Sequence, residues 1–466
     1  MTKLARLGGL LADAALGLPL RATPFTVERD LAAPMPDGVS LLGDRYRPVG
    51  ASGPLPVVLI RLPYGRAGAN GQLLGASLAR RGFQVFMQST RGTFGSGGHF
   101  RPFTTEHEDG LATVAWLRGQ QWCDGRVAMT GASYFGHTQW AVAPYADPPL
   151  VSVSPHVTAS KVTWAFYDHG VPELENALNW SVQIGRQEAG GLPPQLNGRL
   201  KAKIRLAARK LPLQAADTEA AGAPVAFWRD FVTHAEPGDD FWSVADHDHV
   251  DMSRMPPANM VTGWWDLFLP GQLADYTALR AAGVPARILV GPWQHGAPGE
   301  LRAMMRSEAK WLDHHLRGGP APAGPPVRVF LQQAGRWLGF EQWPPAGTRE
   351  SAHHLRADGG LTAEAETGAV EPRAFTYDPA DPTPTVGGPL LAPPGKQADN
   401  RAVEERADVL VFTGPPLTAD TDLVGPVRAR VYVRTELEHA DVFVRLCDVD
   451  EGGVSRNVVD GILRLD

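Results

Sequence analysis

Short apolar runs of strand type alternate with helix-like stretches between residues 57 and 154, and this alternation limits the possible fold more than any other feature of the sequence. The strand-like runs are 57–60, 83–87, 126–130 and 150–154, and the helix-like stretches are 72–81, 106–118 and 134–142. When each strand is followed by a helix, successive strands form a parallel sheet, and the helices cover both of its faces. The pattern therefore predicts an α/β fold.

The alternation stops near residue 157 and resumes near residue 258. Between these positions, helical stretches carry scattered aromatic residues, which predicts a helical cap inserted into the α/β core. Strand-like and helix-like stretches then return at 259–262, 272–282, 286–290 and 301–316.

A stretch rich in Gly, Pro and Ala at 318–326 is the clearest predicted domain boundary. Beyond it the sequence predicts strands without helices between them, at 327–332, 409–412, 427–433 and 442–446, as in an all-β sandwich. The predicted organisation is an N-terminal helix (1–22), a first core segment (23–156), the cap (157–257), a second core segment (258–318) and a C-terminal β domain (326–466).

The composition is that of a globular protein with more than one hydrophobic core, since 43% of the 466 residues are hydrophobic and 20% are charged. The formal net charge is -6, so the sequence offers no electrostatic attraction for nucleic acid or for an anionic membrane surface. Neither partner is expected.

The sequence also bears on the cellular compartment. Two cysteines, Cys123 and Cys447, are too few for a disulfide framework, which fits a reducing compartment. Basic residues precede the apolar run 7–20, as in a signal peptide, but Asp13 interrupts that run and no clear cleavage site follows. We therefore predict an amphipathic N-terminal helix and a cytoplasmic rather than a secreted protein.

The stretch 131–136 reads Gly-Ala-Ser-Tyr-Phe-Gly and lies between a predicted strand and a predicted helix. A serine on such a tight turn is the nucleophile elbow of α/β-hydrolases, which exposes Oγ beside a helix N-terminus. Here the second glycine comes one residue later than in Gly-x-Ser-x-Gly, because Phe135 takes its place. For Ser133 considered by itself, a packing turn without catalytic function is the alternative.

Candidate partners for Ser133 follow two later predicted strands. A serine hydroxyl needs a base to take its proton, and the base needs a carboxylate to orient it. Asp266 follows the run 259–262, and His295 follows the run 286–290. The chain order Ser, Asp, His, with each residue just past a strand, is that of α/β-hydrolases. The alternatives are a helix N-cap for Asp266 and a loop residue for His295.

The sequence resembles the cocaine esterase-like serine hydrolases, which are similar to the X-Pro dipeptidyl peptidases and the α-amino-acid ester hydrolases. The resemblance runs from residue 37 to the C-terminus. It is carried by Pro63-Tyr64, Arg91-Gly92, 122–126 (Trp-Cys-Asp-Gly-Arg), 131–136, 263–266, 291–295, Tyr377-Asp378-Pro379 and Asp460-Gly461. The family pattern Gly-x-Ser-Tyr-x-Gly accounts for the displaced glycine.

The resemblance implies an α/β-hydrolase core, an inserted helical cap and a C-terminal all-β jelly-roll domain. It also implies that the Tyr64 hydroxyl and the Tyr134 amide form the oxyanion hole; the alternative for Tyr64 is a half-buried tyrosine at a strand end. In the family the jelly-roll continues past the position of Arg464. We therefore expect an incomplete jelly-roll, whose exposed sheet edge would favour a homodimer.

The resemblance also bears on the substrate pocket, which we expect to include Trp164, Trp264, Trp265 and Phe268. In α-amino-acid ester hydrolases, acidic residues soon after the triad aspartate hold the substrate ammonium. In this sequence Asp266 is followed by 267–269 (Leu-Phe-Leu) instead. Such a rim favours a neutral or apolar acyl group over a free ammonium.

The predicted function is that of a serine hydrolase that cleaves small-molecule carboxylic esters, with amides as a second substrate class. Ser133 is the nucleophile of an acyl-enzyme mechanism, His295 the base and Asp266 its partner, and no metal or organic cofactor is needed. The alternatives are an X-Pro dipeptidyl peptidase, an acylase or acyltransferase, and an inert protein whose jelly-roll binds carbohydrate.

The run 246–249 (Asp-His-Asp-His) has metal-ligand residue types, but its alternation would point the Asp and His pairs to opposite faces of an extended segment.

Overall fold

The computed structural model describes residues 3–21, 23–190, 194–236, 238–391 and 396–465. The strands of these residues are, in chain order, β1 (Phe25–Pro34), β2 (Ser40–Pro48), β3 (Leu55–Leu62), β4 (Gln84–Ser89), β5 (Cys123–Ala132), β6 (Val153–His156), β7 (Tyr167–Asp168), β8 (Val171–Pro172), β9 (Ala258–Trp265), β10 (Ala286–Gln294), β11 (Val327–Leu331), β12 (Arg336–Phe340), β13 (His354–Leu355), β14 (Leu361–Thr362), β15 (Ala440–Val449) and β16 (Ser455–Leu465).

The α-helices of the same residues are, in chain order, α1 (Lys3–Ala15), α2 (Gly68–Asn70), α3 (Ser77–Arg80), α4 (Glu106–Arg118), α5 (Tyr134–Trp140), α6 (Leu174–Arg186), α7 (Gly198–Ala207), α8 (Ala216–Ala221), α9 (Ala226–Thr233), α10 (Asp240–Ser243), α11 (Leu269–Ala281), α12 (Pro298–Arg317) and α13 (Arg401–Glu404). A π-helical segment, Gly71–Ala76, joins α2 to α3.

One sheet organises the core, with the strand order β1-β2-β4-β3-β5-β6-β9-β10-β11-β12. Neighbouring strands from β4 to β11 pair in parallel, and β1, β2 and β12 are antiparallel strands at the two edges. β4 is buried along its whole length, as expected for a central strand that is covered on both faces. This mixed, mostly parallel sheet confirms the predicted α/β-hydrolase core.

Alternate side chains of β3 show how the sheet separates two apolar clusters. Val58 and Ile60 belong to the cluster that includes the cap, whereas Val57 and Leu59 belong to the cluster on the opposite face. Successive side chains of a strand point to opposite faces, so a continuous apolar run fills both layers. The core is therefore built on the two faces of a single sheet.

The N-terminal helix ends earlier than the predicted segment 1–22, since α1 spans Lys3–Ala15, and residues 1, 2 and 22 lie outside the described residues. Asp13 is fully buried and forms ion pairs with Arg80 at 2.7 Å and with Arg81 at 3.1 Å. The charge that interrupts the apolar run therefore attaches α1 to α3. Across the described residues, no helix combines the length and the apolarity that a membrane span requires.

The helices α6 to α10 lie between β6 and β9 in the chain, in the segment 157–257 that the sequence predicts as a cap. The aromatic residues of this segment pack together: the ring centroid of Phe231 in α9 lies 4.5 Å from that of Phe166 and 5.2 Å from that of Trp242 in α10. The scattered aromatic residues of this segment therefore form the interior of the cap.

The main sheet extends past the predicted boundary at 318–326. β11 pairs in parallel with β10, with Ile288 opposite Val327, and β12 follows as an antiparallel hairpin. Val327 and Val329 are buried against the core. An apolar alternating run looks the same in a sandwich and at the edge of an α/β sheet, which is why the sequence assigned these strands to the C-terminal domain.

The C-terminal region differs from the predicted two-sheet jelly-roll. In the part that the structure describes, residues 341–465 form two hairpins, β13 with β14 and β15 with β16, together with isolated bridges. The predicted strands 409–412 and 427–433 are not strands, and Tyr432 is 92% exposed. A β-strand needs a neighbouring strand to satisfy its backbone N–H and C=O groups, and neither segment has one among the described residues.

Candidate active site

Ser133 lies on a strained turn between β5 and α5, with φ 57° and ψ -123°. The two glycines of the motif permit this turn, because each faces a side chain at close range. A Cβ on Gly131 would lie 2.4 Å from Cβ of Phe135, and a Cβ on Gly136 would lie 2.3 Å from Cγ2 of Thr158. The geometry is that of a nucleophile elbow, and it accounts for the glycine at the displaced position.

The structure brings Ser133, His295 and Asp266 together at one edge of the sheet. Nε2 of His295 lies 3.1 Å from Oγ of Ser133, and Nδ1 of His295 lies 2.8 Å from Oδ2 of Asp266. Asp266 directly follows β9 and His295 directly follows β10. A Cβ on Gly263 would lie 2.2 Å from the carbonyl oxygen of Trp293, so a glycine at this position allows the ends of β9 and β10 to approach.

The electrostatics favour a His295 that is protonated at Nδ1 and accepts at Nε2. Burial alone would lower the pKa of His295, but the charge and hydrogen bond of Asp266 outweigh it, so the net pKa is raised above 6.5. Asp266 also accepts the backbone N–H of Phe268 at 2.8 Å through Oδ1. This second bond fixes the carboxylate toward the imidazole.

Glu300, a second buried carboxyl group beside His295, was not found from the sequence. Its Oε2 accepts the backbone N–H of Gly296 at 2.7 Å, and burial together with the nearby Asp266 raises its pKa to about 8. The only available signal was its position directly before the predicted helical stretch 301–316, where a glutamate is common without any catalytic role.

Tyr64 lines the same cavity as Ser133, and its ring centroid lies 6.5 Å from that of Tyr134, the residue after Ser133. The Tyr64 hydroxyl accepts the indole N–H of Trp180 at 2.9 Å, and burial raises its pKa to about 12, so the phenol remains a neutral donor. Tyr134 is the first residue of α5, and the first N–H groups of a helix have no intrahelical acceptor. Both predicted oxyanion residues thus adjoin Ser133.

A cavity of about 40 Å³ opens at these residues. Besides Ser133, His295 and the two tyrosines, it is lined by Phe103, His137, Thr158, Val162, Ala165, Phe166, Asn176, Trp180, Leu267, Phe268 and Leu391. The lining is mostly apolar, and among the described lining residues there is no Asp or Glu. Leu391 comes from the C-terminal region, and its N–H donates to Oδ1 of Asn176 at 2.9 Å, a contact that no sequence signal indicated.

Of the four predicted pocket residues, Phe268 lines the cavity and the three tryptophans do not. Trp264 points to the opposite face of the sheet, where its indole N–H donates to the carbonyl oxygen of Phe330 at 2.6 Å. Trp265 is still part of β9, before the turn that carries Asp266. Trp164 packs beside Gly271 at the start of α11. Nearness in sequence to Asp266, for Trp264 and Trp265, and a place in the predicted cap, for Trp164, did not determine whether each indole reaches the cavity.

The run 246–249 has no ligand-like arrangement. Asp246 accepts the N–H and the hydroxyl of Thr163 at 3.0 and 2.5 Å, and His247 is buried. Within the described ranges, no group of three or more His, Cys, Asp or Glu side chains is arranged to hold a metal ion.

Comparison with known proteins places this geometry in a family. The profile of the X-Pro dipeptidyl-peptidase (S15 family) matches residues 37–297, and that of the X-Pro dipeptidyl-peptidase C-terminal non-catalytic domain matches residues 322–466. The chain belongs to the S15 family. As a member of the S15 family, the protein is a serine hydrolase with an α/β-hydrolase core and a C-terminal non-catalytic domain.

Similar proteins agree with this assignment. The cocaine esterase of Rhodococcus sp. is 30% identical over 95% of this chain and 83% of its own length. Among solved structures, an aminopeptidase from a marine sediment Thaumarchaeota archaeon has a TM-score of 0.74 at 23% identity, covering 96% of this chain and 83% of the other. An α-amino acid ester hydrolase has a TM-score of 0.73 at 22% identity, covering 95% and 82%. These two structures share the fold of this S15 chain.

Proposed function

We propose that this protein hydrolyses carboxylic esters through an acyl-enzyme formed on Ser133, with His295 as the base and Asp266 as the group that orients it. The observation that carries the proposal is that His295 contacts both other residues, one through each ring nitrogen, at 3.1 and 2.8 Å. The similarity to a cocaine esterase supports an ester as the substrate.

In the first half-reaction, the Ser133 hydroxyl gives its proton to Nε2 of His295 while Oγ bonds to the carbonyl carbon. The carbonyl oxygen becomes an oxyanion, which the Tyr134 N–H and the Tyr64 hydroxyl stabilise. When the bond to the leaving oxygen breaks, His295 returns the proton to the departing alcohol. Water then attacks the acyl-enzyme with His295 again as base, which releases the acid and free Ser133.

The lining of the cavity supports a compact, neutral acyl group. Leu267 and Phe268 follow Asp266 directly and contribute hydrocarbon to the cavity. A buried ammonium needs a carboxylate partner, and none lines the cavity among the described residues. The same observation disfavours a substrate with a free α-amino group, such as an X-Pro dipeptide, although the family is named for that activity.

The proposal is tested with p-nitrophenyl esters of graded acyl length, X-Pro p-nitroanilides and a fluorophosphonate probe. We expect turnover of the short esters and labelling of Ser133, and loss of both in Ser133→Ala. Ser152→Ala is the control, because Ser152 is a buried serine that does not line the cavity, and its hydroxyl has no hydrogen-bond partner among the described residues. Retained ester turnover in pure Ser133→Ala, or turnover of the anilides alone, would contradict the proposal. No turnover at all would favour an inert binding protein.

A further inference from the structure

A buried ion pair lies beneath the nucleophile elbow. Nη1 of Arg61 lies 3.0 Å from Oε2 of Glu106, and the same nitrogen donates to the Glu106 carbonyl oxygen at 2.9 Å. Arg61 is fully buried in β3, and Glu106, the first residue of α4, is 1% exposed. The free-energy cost of removing two charges from water can exceed their attraction, so a buried ion pair is weak evidence for a stabilising role. The other hydrogen-bond partners of the pair indicate its role better.

The partner of Glu106 on the other side is the residue next to the nucleophile. The Tyr134 hydroxyl donates to Oε1 of Glu106 at 2.7 Å and accepts the backbone N–H of Phe103 at 3.0 Å. Burial and the neighbouring carboxyl group raise the pKa of Tyr134 well above 10, so the phenol keeps the proton that it donates. The phenol therefore has one fixed acceptor and one fixed donor.

Phe103 connects this network to the cavity wall. Its backbone has a φ of 70°, which is unusual for a residue with a bulky side chain. Its ring lines the cavity and stacks on the ring of Tyr134 at 4.7 Å and on that of Trp180 at 5.6 Å. One phenol thus holds both the strained wall residue and the helix start that carries the oxyanion amide.

We propose that Glu106, held by Arg61, and the Tyr134 phenol are positioning groups, which aim the Tyr134 backbone N–H at the oxyanion and hold Phe103 in the wall of the acyl cavity. This inference rests on the proposed function, since it assigns a structural cause to the oxyanion hole. It goes beyond the triad, because neither Arg61 nor Glu106 lines the cavity.

The test compares Tyr134→Phe with Tyr167→Phe. Tyr167 is a matched control, since its hydroxyl also donates to a buried acceptor, the carbonyl oxygen of Phe231 at 2.8 Å, but Tyr167 belongs to the cap and does not line the cavity. For the best ester, we expect Tyr134→Phe to lower kcat at least ~10-fold with KM changed less than about twofold, because small misplacements in a reacting site cost up to about 10²-fold. Binding of a phenylboronic acid, which forms a tetrahedral anion on the serine, should weaken by the same factor.

Glu106→Gln is the second variant, and it keeps the size of the side chain. Arg61 offers only donors, so the amide oxygen will face Arg61 and the amide NH₂ will face Tyr134, which deprives the phenol of its acceptor. We expect kcat to fall in the same direction as for Tyr134→Phe. If either variant folds and keeps the kcat and the boronate affinity of Tyr167→Phe, the inference is overturned. Activity that survives in Ser133→Ala would instead contradict the proposed function itself.

Discussion

The indole N–H of Trp180 donates a hydrogen bond of 2.9 Å to the hydroxyl oxygen of Tyr64, and so joins the cap to the proposed oxyanion site. A phenol hydroxyl rotates about its C–O bond, and a donor on one lone pair of the oxygen limits that rotation. The same cap segment holds the neighbouring backbone, since Nε2 of Gln187 donates to the carbonyl oxygen of Pro63 at 2.8 Å. The cap therefore contributes to the geometry of the proposed oxyanion site as well as to the wall of the cavity.

Trp180→Phe tests this role of the cap. The variant keeps a ring in the cavity wall but removes the N–H, so the Tyr64 hydroxyl loses its fixed donor. We expect kcat for a short ester to fall about 10-fold, less than the ~10²–10³-fold lost when an oxyanion donor is removed outright. Trp242→Phe is the control, because the Trp242 indole N–H donates to the carbonyl oxygen of His234 inside the cap. Equal kcat values for the two variants would contradict the role of Trp180.

The proximity of Ser133, Asp266 and His295 was predictable from the sequence because the three residues occupy equivalent places. Each of Ser133, Asp266 and His295 directly follows a strand of the parallel sheet, and the carboxyl ends of parallel strands meet at one edge. The pairing of Trp180 with Tyr64 was not predictable, since these residues are 116 positions apart and meet only through the way the cap packs on the core. The periodicity of hydrophobic residues predicts which helices and strands form. It does not predict how an inserted cap packs on the core.

Two predicted elements show where the sequence pattern is decisive and where it is ambiguous. The helix predicted at 106–118 is observed with the same bounds, because its length and periodicity leave no alternative. The strand-like run 427–433 has the composition of a strand, but it is exposed and pairs with no strand among the described residues. Strand formation depends on a partner that is distant in sequence, so local propensity alone cannot decide it.

The raised pKa of His295 predicts the pH dependence of catalysis. In the proposed mechanism His295 must be neutral to accept the Ser133 proton, and its net pKa lies above 6.5 because Asp266 outweighs the effect of burial. We therefore expect kcat/KM for an uncharged ester to rise with pH through a midpoint above 6.5. A pH-rate profile in a constant-ionic-strength buffer measures this midpoint. A midpoint clearly below 6.5 would show that burial, and not Asp266, dominates the pKa.

Glu300 predicts a pH dependence of stability. Its pKa is raised from 4.5 to about 8, so between these values the folded protein holds a proton that the unfolded chain has lost. The free energy of unfolding therefore falls as the pH rises through this window. Above pH 8 the folded protein carries the full destabilisation of a buried, ionised Glu300. In urea unfolding, the free energy of unfolding of Glu300→Gln minus that of wild type should be larger at pH 8 than at pH 5. A difference that is the same at both pH values would contradict the shift.

Asp13 predicts that the N-terminal helix is held by a buried charge. Asp13→Ala leaves Arg80, which is 3% exposed, without its carboxylate, and the loss of one partner of a buried pair costs about 3–5 kcal/mol. Urea unfolding measures this loss. Glu350→Ala is the control, because its ion pair with Arg428 is exposed on both sides and is expected to contribute about 0–1 kcal/mol. Similar losses in both variants would mean that Asp13 is not buried as described.

Phe268 predicts the acyl specificity, because its ring lines the cavity and its centroid lies 5.8 Å from that of His295. Phe268→Ala removes hydrocarbon at the point where a growing acyl chain would meet the wall, so longer acyl groups gain room and the shortest lose contact. We expect the ratio of kcat/KM for hexanoate over acetate esters to rise about 10-fold or more, within the ~10–200-fold that one methylene is worth in a fitted apolar pocket. Phe443→Ala, at an exposed position of β15, is the control and should leave the ratio unchanged. If Phe268→Ala also leaves the ratio unchanged while acetate turnover is retained, the acyl chain does not bind along Phe268, and the cavity would instead hold the alcohol portion of the ester.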